Sequence, residues 1–516
     1  MRAVTLLPAR PGQSASEALA AAGHPHPRPC GGHGRCGNCA LWLRGALAPM
    51  GPREAALLRL RERDLPPAEG YTLRLACLCG LLGPAECLLP EADGAPATSA
   101  IAVRALPDYD GPAPGSLGAA IDIGATTVTL ELFRFPDAAP LACVHEMNRQ
   151  SAYGADVLNR ISSVGALGLA PLCDCLRGQL AGMLAAALEK AGASASGLSN
   201  LTRAVVTGNT TMLHFFAGLD PTGMGAAPFT PLSLFGEALP PELLAGLPAG
   251  AELYLPPSVS AFIGADITCG ALATGICDAE NALLCDVGTN GEMMLHIKAA
   301  RDAEHSVPCR LLCCSVAAGP AFEGAEISMG MPALPGAIDR VWAEGGQLRW
   351  HAIGEGDAKG VCGTGLISAL RAFLERGAID ESGYIEEPAL LIGGSGVSVT
   401  QQDIRKLQLV KAAVAAGIET LLHESGLAPG ELRELWLGGG FGSCLRPEDA
   451  AAIGMIPLEA VPAAQPAGNI ALRGAEMLLF SRELRVEALR VAQTAKEIYL
   501  ATHPVFQEMF VEKMGF

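Results

Sequence analysis

Four cysteines and two aspartates stand in surroundings that could do chemistry. The stretch "RPCGGHGRCGNCALWL" sets Cys30, Cys36 and Cys39 on a glycine loop, and Cys77 follows at a distance in "RLACLCG". Three close thiols and a distant fourth are how a [2Fe-2S] cluster is held, and the spacing here, C-x5-C-x2-C, is one residue longer in its first interval than the plant-type C-x4-C-x2-C. A zinc ribbon needs two matched C-x2-C pairs, and the second is missing. Gly31, Gly32, Gly34 and Gly37 can take positive φ and turn backbone N–H groups toward cluster sulfurs, which lowers the cost of the negative charge. Spacing leaves Cys77 and Cys79 as rivals for the fourth ligand, because a strand would put both on one face, with Cys87 a weaker rival. Cys143, Cys173, Cys175, Cys285, Cys313, Cys314, Cys362 and Cys444 lie in apolar surroundings without ligand spacing and read as core residues.

The aspartates sit in two similar stretches, "AAIDIGATTVTLELF" and "LLCDVGTNGEMMLHI". In each, an apolar strand delivers an Asp to a glycine turn carrying hydroxyl or amide side chains: Asp122 with Gly124, Thr126 and Thr127, and Asp286 with Gly288, Thr289 and Asn290. Such a turn offers backbone N–H groups to phosphate oxygens, while the carboxylate holds Mg²⁺ through water. A third turn, "LWLGGGFGS", contributes Gly438, Gly439 and Gly440, suited to close contact with an adenosine; "VTGNTTM" and "GVCGTGL" supply further polar turns. Any one of these reads equally well as a tight corner, whereas the set points to ATP. No G-x-x-x-x-G-K-[ST] loop occurs, which excludes a P-loop enzyme. Asp266, in "SAFIGADITCG", has two readings: it orients an attacking water, or it caps the following helix.

The elements that must position these residues fall into blocks. Residues 1–92 hold a helix at "SASEALAAAG", the cysteine loop, and the short strands "NCALWL" and "YTLRLAC". Residues 93–117 are rich in Pro, Gly and Ala and read as a linker. The remainder alternates strand-like runs ("RAVVTG", "ELWLGGG") with Ala- and Leu-rich helical segments, the rhythm of an α/β fold. Asp122 and Asp286 are 164 residues apart, so two similar lobes facing each other are expected, spanning residues 118–280 and 281–516.

Composition narrows the class. A chain of 516 residues is long enough for several domains. Its net charge of −17, from 53 acidic and 36 basic residues, leaves no basic field for nucleic acid or an anionic membrane. The opening "MRAVTLLPARPGQSASEALAAAG" lacks the apolar core of a signal peptide, and "AGMLAAALEKAGASASG" meets Glu and Lys well short of the ~18 apolar residues that span a bilayer. A cytoplasmic location is expected, with the 17 cysteines as reduced thiols or metal ligands.

With these motifs in place, the chain resembles the reductive activators of corrinoid-dependent enzymes. The matching stretches include "CGGHGRCGNC", "RLAC", "AIDIGATTVTLEL", "YGADVLNRI", "VTGNTTMLHF", "FIGADITCGALATG", "LLCDVGTNGEMML", "AAGPAFEGAEISMGM", "GVCGTGLISAL", "LGGGFG" and the final "THPVFQEMFVEKMGF". The cysteine spacing itself is similar to the adrenodoxin-like branch of ferredoxins. The resemblance implies an α/β multidomain protein, with a small β-grasp ferredoxin-like domain followed by a two-lobed RNase H-like ATPase of the actin, hexokinase and Hsp70 type. It implies that Cys30, Cys36, Cys39 and Cys77 hold the cluster, that the three turns bind ATP and Mg²⁺, and that a homodimer is compatible with the group. In one place the chain departs from the group's pattern: only about 44 residues separate Cys77 from Asp122, where an additional segment is expected.

The implied activity is one-electron reduction of a methyltransferase's corrinoid protein from Co(II) to Co(I), driven by ATP. Iron–sulfur potentials near ~−400 mV do not reduce a very low-potential acceptor freely. Each ~100 mV uphill costs roughly 2.3 kcal/mol per electron. ATP can meet that cost only by favouring a complex in which the cobalt is easier to reduce, so lobe closure on ATP is the expected gate. The corrinoid-binding motif D-x-H-x-x-G is absent, which places the cobalamin on the partner. A reduced ferredoxin or flavoprotein would reload the cluster. Two competing readings keep the nucleotide site: a small-molecule kinase with a redox-sensing appendage, for which Asp266 is the candidate base, and an ATP-switched binding protein that delivers no electron.

Overall fold

The computed structural model describes residues 2–22, 39–59, 68, 70–89, 104–106, 109–137, 139–193, 200–298, 301–302, 305–306, 310–324, 326–439 and 445–516. Cys30, Cys36, Gly440, Cys444 and most of segment 93–117 lie outside these residues.

The N-terminal block contains β1 (Arg2–Leu6), β2 (Gln13–Ser14), α1 (Ala15–Ala21), β3 (Ala40–Leu47), α2 (Pro52–Arg59), β4 (Thr72–Leu75) and β5 (Gly80–Leu89). Its sheet runs β1-β5-β3-β4, with β2 also on β5, and every pairing is antiparallel. Alternation along β3 turns Leu41 and Leu43 into a small core shared with Leu6, Leu19, Leu75 and Leu81. Beside it lies a buried ion pair. Arg74 donates to both Glu54 carboxylate oxygens at 2.8 Å, and the Leu75 N–H adds a third bond to Glu54 at 2.8 Å. Because both side chains are almost fully buried, removing one would strand the other without water, so the pair pins α2 to the strand that leads into Cys77.

The first lobe follows with β6 (Leu117–Ile123), β7 (Thr127–Arg134), β8 (Pro140–Met147), α3 (Val157–Leu167), α4 (Ala170–Lys190), β9 (Leu201–Gly208), α5 (Thr210–Ala217), β10 (Glu237–Leu239), β11 (Glu252–Leu255) and α6 (Ala265–Thr274). Its sheet has the order β10-β11-β9-β6-β7-β8, in which β6, β7 and β8 form an antiparallel meander and β9 and β11 add in parallel. The central strands β6 and β9 are buried nearly throughout, as expected of strands covered on both faces.

The second lobe repeats this plan with β12 (Ala282–Val287), β13 (Gly291–Ile297), a two-residue hairpin of β14 (Arg301–Asp302) and β15 (His305–Ser306), β16 (Arg310–Val316), β17 (Ala337–Glu344), β18 (Gln347–Ala352), β19 (Gly360–Val361), α7 (Gly363–Glu375), β20 (Ala389–Leu391), β21 (Ser398–Thr400), α8 (Gln401–Ser425), β22 (Glu434–Gly438), α9 (Pro447–Ala452), β23 (Ala464–Gly468), α10 (Ile470–Phe480), α11 (Leu484–Thr494), β24 (Ala495–Glu497) and α12 (Pro504–Glu512). Its main sheet runs β23-β22-β12-β13-β16-β24. The meander β12-β13-β16 with β22 and β23 parallel beyond β12 reproduces the order of the first lobe, so the duplication expected from the two Asp-x-Gly stretches is present in the topology.

Between the sheets the lobes exchange helices. Helix α6 packs its Ile267 and Ala271 against Leu284, Met294 and Trp436 of the second sheet, while α10 lays Leu472, Ala475 and Leu479 on Ala120, Phe133 and Val205 of the first. The two helices touch through glycines. A Cβ on Gly474 would lie 2.5 Å from the Cys269 Cα, so the close crossing requires glycine there, and one on Gly270 would press on the Ile470 side chain at 2.9 Å. Among the described residues no helix is long and apolar enough to cross a membrane.

Candidate functional site

The turns after β6 and β12 meet at the junction of the lobes. Each is closed by its own glycine: the Gly124 N–H donates to the Thr127 carbonyl at 2.9 Å, and the Gly288 N–H to the Asn290 carbonyl at 2.9 Å. The hydroxyls of Thr126 and Thr289 lie 2.7 Å apart, so two stretches of sequence 163 positions apart face each other directly. At the third turn, Gly438 pairs with Asp286 in register between β12 and β22. Gly439 has φ +85°, and a side chain there would strike the Asp286 carboxylate and approach the Val287 carbonyl to 2.7 Å; only glycine fits.

Four carboxylates gather around this junction, and each is held above its ordinary range. Asp122 is pushed up to about 7, chiefly by burial, with a hydrogen bond from Asn469 pulling the other way and the charge of Asp266 adding to the rise. Asp286 is pushed up to about 8 by burial and by the charges of Asp266 and Asp122. Asp266 rises to about 6 through burial. Glu292, opposite Asp286 in the β12–β13 pair, rises well above its usual value through burial and the charges of Asp266 and Asp286. Acids crowded in this way attract a divalent cation. Among the described residues no group of three or more His, Cys, Asp or Glu side chains is placed to hold a metal ion.

Behind the turns are residues that the sequence did not single out. Asn148, fully buried, donates from its side chain to the Gly124 carbonyl at 2.8 Å and from its backbone to the Thr126 carbonyl at 2.7 Å. Arg160, also fully buried, bonds the Ala125 carbonyl and donates to the Gly154 carbonyl at 2.9 Å. Every carbonyl of the first turn from Gly124 to Thr126 is thus tied back. Asp266 is not a helix cap: Gly264 holds that position in α6, and the Asp266 carboxylate accepts from the Ile267 N–H at 2.9 Å.

Asn469 connects the lobes. Its oxygen caps α10 by accepting from the Leu472 N–H at 2.9 Å, and its amide donates to Asp122 at 2.8 Å. In Asn469→Asp the cap survives but the donor is replaced by a negative charge; Asn469→Ala loses both. We therefore expect Asn469→Ala to lose about 0.5–2 kcal/mol of stability. The aspartate variant keeps the cap but sets a further acid against Asp122, so it too should melt below wild type, by repulsion rather than by loss of the cap, and show a Mg·ATP affinity weakened by roughly 10–100-fold; thermal melts at pH 6 and pH 8, with and without Mg·ATP, would separate the two variants.

The fold brings two of the candidate cysteines together. Cys39 Sγ stands 3.2 Å from Cys77 Sγ, and the Ala76 N–H donates to the Cys39 carbonyl at 2.8 Å. Two thiolates about 2.3 Å from one tetrahedral metal would lie roughly 3.7 Å apart, so this pair fits a shared iron with little adjustment. Cys79 is fully buried and burial pushes its thiol up to about 11, as it does for Cys87. Cys173, Cys285, Cys313, Cys314 and Cys362 are buried core residues, as expected. Cys143 is not: it is exposed, because β8 is the edge of the first sheet and Cys143 takes an outward position in the alternation.

Residues 117–279 match the family model described as the RACo middle region, and residues 280–516 match that of the C-terminal domain of RACo, the ASKHA domain. The chain belongs to the RACo family. Among curated relatives of this RACo chain is the corrinoid activation enzyme RamQ of Eubacterium limosum, 30% identical over 430 residues that cover 76% of the chain and 69% of RamQ. Another is the [Co(II) methylated amine-specific corrinoid protein] reductase of Methanosarcina barkeri, 30% identical over 290 residues, 51% of the chain and 52% of that protein. The solved structure of a reductive activator for corrinoid, iron–sulfur protein superposes with a TM-score of 0.70 at 26% identity, over 99% of the RACo chain and 98% of that one. The actin, sugar-kinase and Hsp70-like ATPase fold expected from the sequence is borne out by the ASKHA family model and by this superposition.

Proposed function

We propose that this chain is an ATP-dependent reductive activator that returns a partner's corrinoid from Co(II) to Co(I) by one electron. The end-to-end likeness to a solved reductive activator carries the reading. The parts of the molecule divide the work. The turns at Gly124–Thr127 and Gly288–Asn290 bind the phosphates of ATP from opposite lobes, and the Thr126 and Thr289 hydroxyls, 2.7 Å apart, would part to admit the γ-phosphate between them. Gly438, Gly439 and Gly440 approach the adenosine. Mg²⁺, held through water by Asp122 and Asp286, supplies charge neutralisation at the phosphates. Asp266, in the first turn of α6 rather than at its N-cap, orients the attacking water. A [2Fe-2S] cluster on Cys30, Cys36, Cys39 and Cys77 supplies a one-electron carrier. A reduced ferredoxin or flavoprotein is the proposed donor.

Anaerobic mixing of the protein, a chemical reductant, ATP and a Co(II) corrinoid protein tests this directly: a Co(I) absorption band should grow only with ATP. Absence of that band with the corrinoid subunits of every methyltransferase encoded nearby would overturn the reading.

The raised carboxylates give a pH prediction with a definite sign. Asp122, Asp266 and Asp286 have folded values of about 7, 6 and 8, above the unfolded range near 4. The folded state therefore binds more protons than the unfolded one from about pH 4 upward, and stability without nucleotide falls as pH rises toward 8. Mg²⁺ needs the ionised forms, so its affinity should rise over the same interval, with protons released on binding. Calorimetric titration of Mg·ATP at pH 6 and pH 8 would check both; equal affinity at the two values would contradict the coupling.

A further inference from the structure

A second concavity lies at the lobe junction, apart from the turns. This pocket of about 190 Å³ is lined by Phe229, Leu234 and Phe262 from the first lobe and by Glu497 and Tyr499 from the second. The rings form a chain: Phe229 lies 5.1 Å from Phe262 and 5.8 Å from Tyr499, centroid to centroid, so one aromatic wall spans both lobes. Phe229 has φ +54°, a conformation that a bulky side chain holds only where its surroundings impose it. Glu497 is half-buried and makes no ion pair or side-chain hydrogen bond among the described residues. Around the mouth the apolar side chains Leu232, Leu234 and Tyr499 are 66%, 41% and 45% exposed.

These features select an occupant. Ring faces beside a lone carboxylate attract a cation, and a planar guanidinium can stack on the rings while it pairs with the acid. The volume is below the roughly 300 Å³ at which small-molecule pockets begin, and it suits the head of one side chain. The exposed apolar rim is the mark of a protein contact, and the charge of −17 favours a positive group on the other side. We propose that this pocket receives an arginine side chain of the corrinoid-carrying partner, an inference that rests on the reading above. Phe262 is four residues from Asp266, and the Ser260 carbonyl between them and β11 accepts from the Thr210 hydroxyl at 2.6 Å, beside the Gly208–Asn209 turn. The segment that carries Phe262 thus runs on into the helix that carries Asp266, and the pocket draws its walls from both lobes.

Saturation-transfer NMR on the full chain, with N-acetyl-arginine amide and its neutral counterpart N-acetyl-citrulline amide as probes, tests the pocket without any partner. The arginine probe should bind, the citrulline probe should not, and Glu497→Gln and Tyr499→Ala should each weaken the arginine signal at least fivefold. No binding to wild type, equal binding of citrulline, or unchanged binding in both variants would overturn the proposal. In the corrinoid assay Tyr499→Ala should raise the KM for the corrinoid protein about tenfold and leave partner-free ATP hydrolysis unchanged; an unchanged KM would also count against it. If wild type reduces no corrinoid protein while the arginine probe still reports on Glu497, the functional reading fails and the pocket stands.

Discussion

Asp286→Asn, and the double variant with Asp122→Asn, should lower ATP-dependent Co(I) formation by about 10²–10³-fold while the visible absorption of the cysteine domain stays unchanged. The magnitude follows from what one well-placed electrostatic group contributes in a water-poor site, about 2.7–4 kcal/mol. Asp286 is the more sensitive position, because the third turn closes directly on it: it pairs with Gly438 in register, and Gly439 leaves just enough room for its carboxylate. Asparagine keeps the volume and removes the charge, so the fold should hold. Removing one acid from a crowded set also relieves repulsion, and the variant is expected to melt at or above the wild-type temperature without nucleotide. Stability up and turnover down is a pattern that misfolding cannot produce. Single-turnover Co(I) formation and ATP hydrolysis, measured on the same preparation, would show it, and retention of full ATP-dependent reduction in the double variant would remove the two aspartates from the mechanism.

The second large effect concerns the thiols. Cys77→Ser should bleach the visible absorption of anaerobically reconstituted protein and abolish electron delivery, whereas Cys79→Ser should retain both. Cys77 stands 3.2 Å from Cys39, while Cys79 is sealed in the core. Serine at position 79 buries a hydroxyl where an apolar thiol packed, at a cost of about 1–3 kcal/mol in stability, so the variant should melt lower and stay coloured. Partner-free ATP hydrolysis should survive in both, since the carboxylates and turns belong to other blocks of the chain. A colourless Cys79→Ser protein with a coloured Cys77→Ser one would reverse the assignment.

Some of this site could be read from the sequence because it is local. An Asp-x-Gly turn after an apolar strand is written in a dozen consecutive residues, and writing it twice predicts two lobes; the matching strand orders follow from that repetition. Other parts could not be read. Asn148 and Arg160 act on the first turn from the far end of β8 and from α3, and nothing in their own neighbourhoods marks them as its supports. Asn469 does leave a trace, since Gly208-Asn209 and Gly468-Asn469 both end a strand and cap a helix, but its contact with Asp122 arises only when α10 crosses to the first lobe. Spacing does not separate Cys77 from Cys79, because it carries no sign of whether the segment is a strand or a turn. Residues 76–79 form a turn between β4 and β5, where side chains two apart do not share a face. Glu292 reads in the sequence as an ordinary strand residue, because only pairing with β12 sets it opposite Asp286.

The crossing of α10 has a consequence for biosynthesis. While the chain is being made, β6 and β9 leave the ribosome long before the helix that covers their face, which follows β9 by roughly 260 residues. At about 5–20 residues per second, Ala120, Phe133 and Val205 would wait on the order of tens of seconds for Leu472 and Leu479. The nascent first lobe thus holds an uncovered apolar face throughout that interval, and a message truncated before residue 470 should yield aggregate rather than a smaller folded protein.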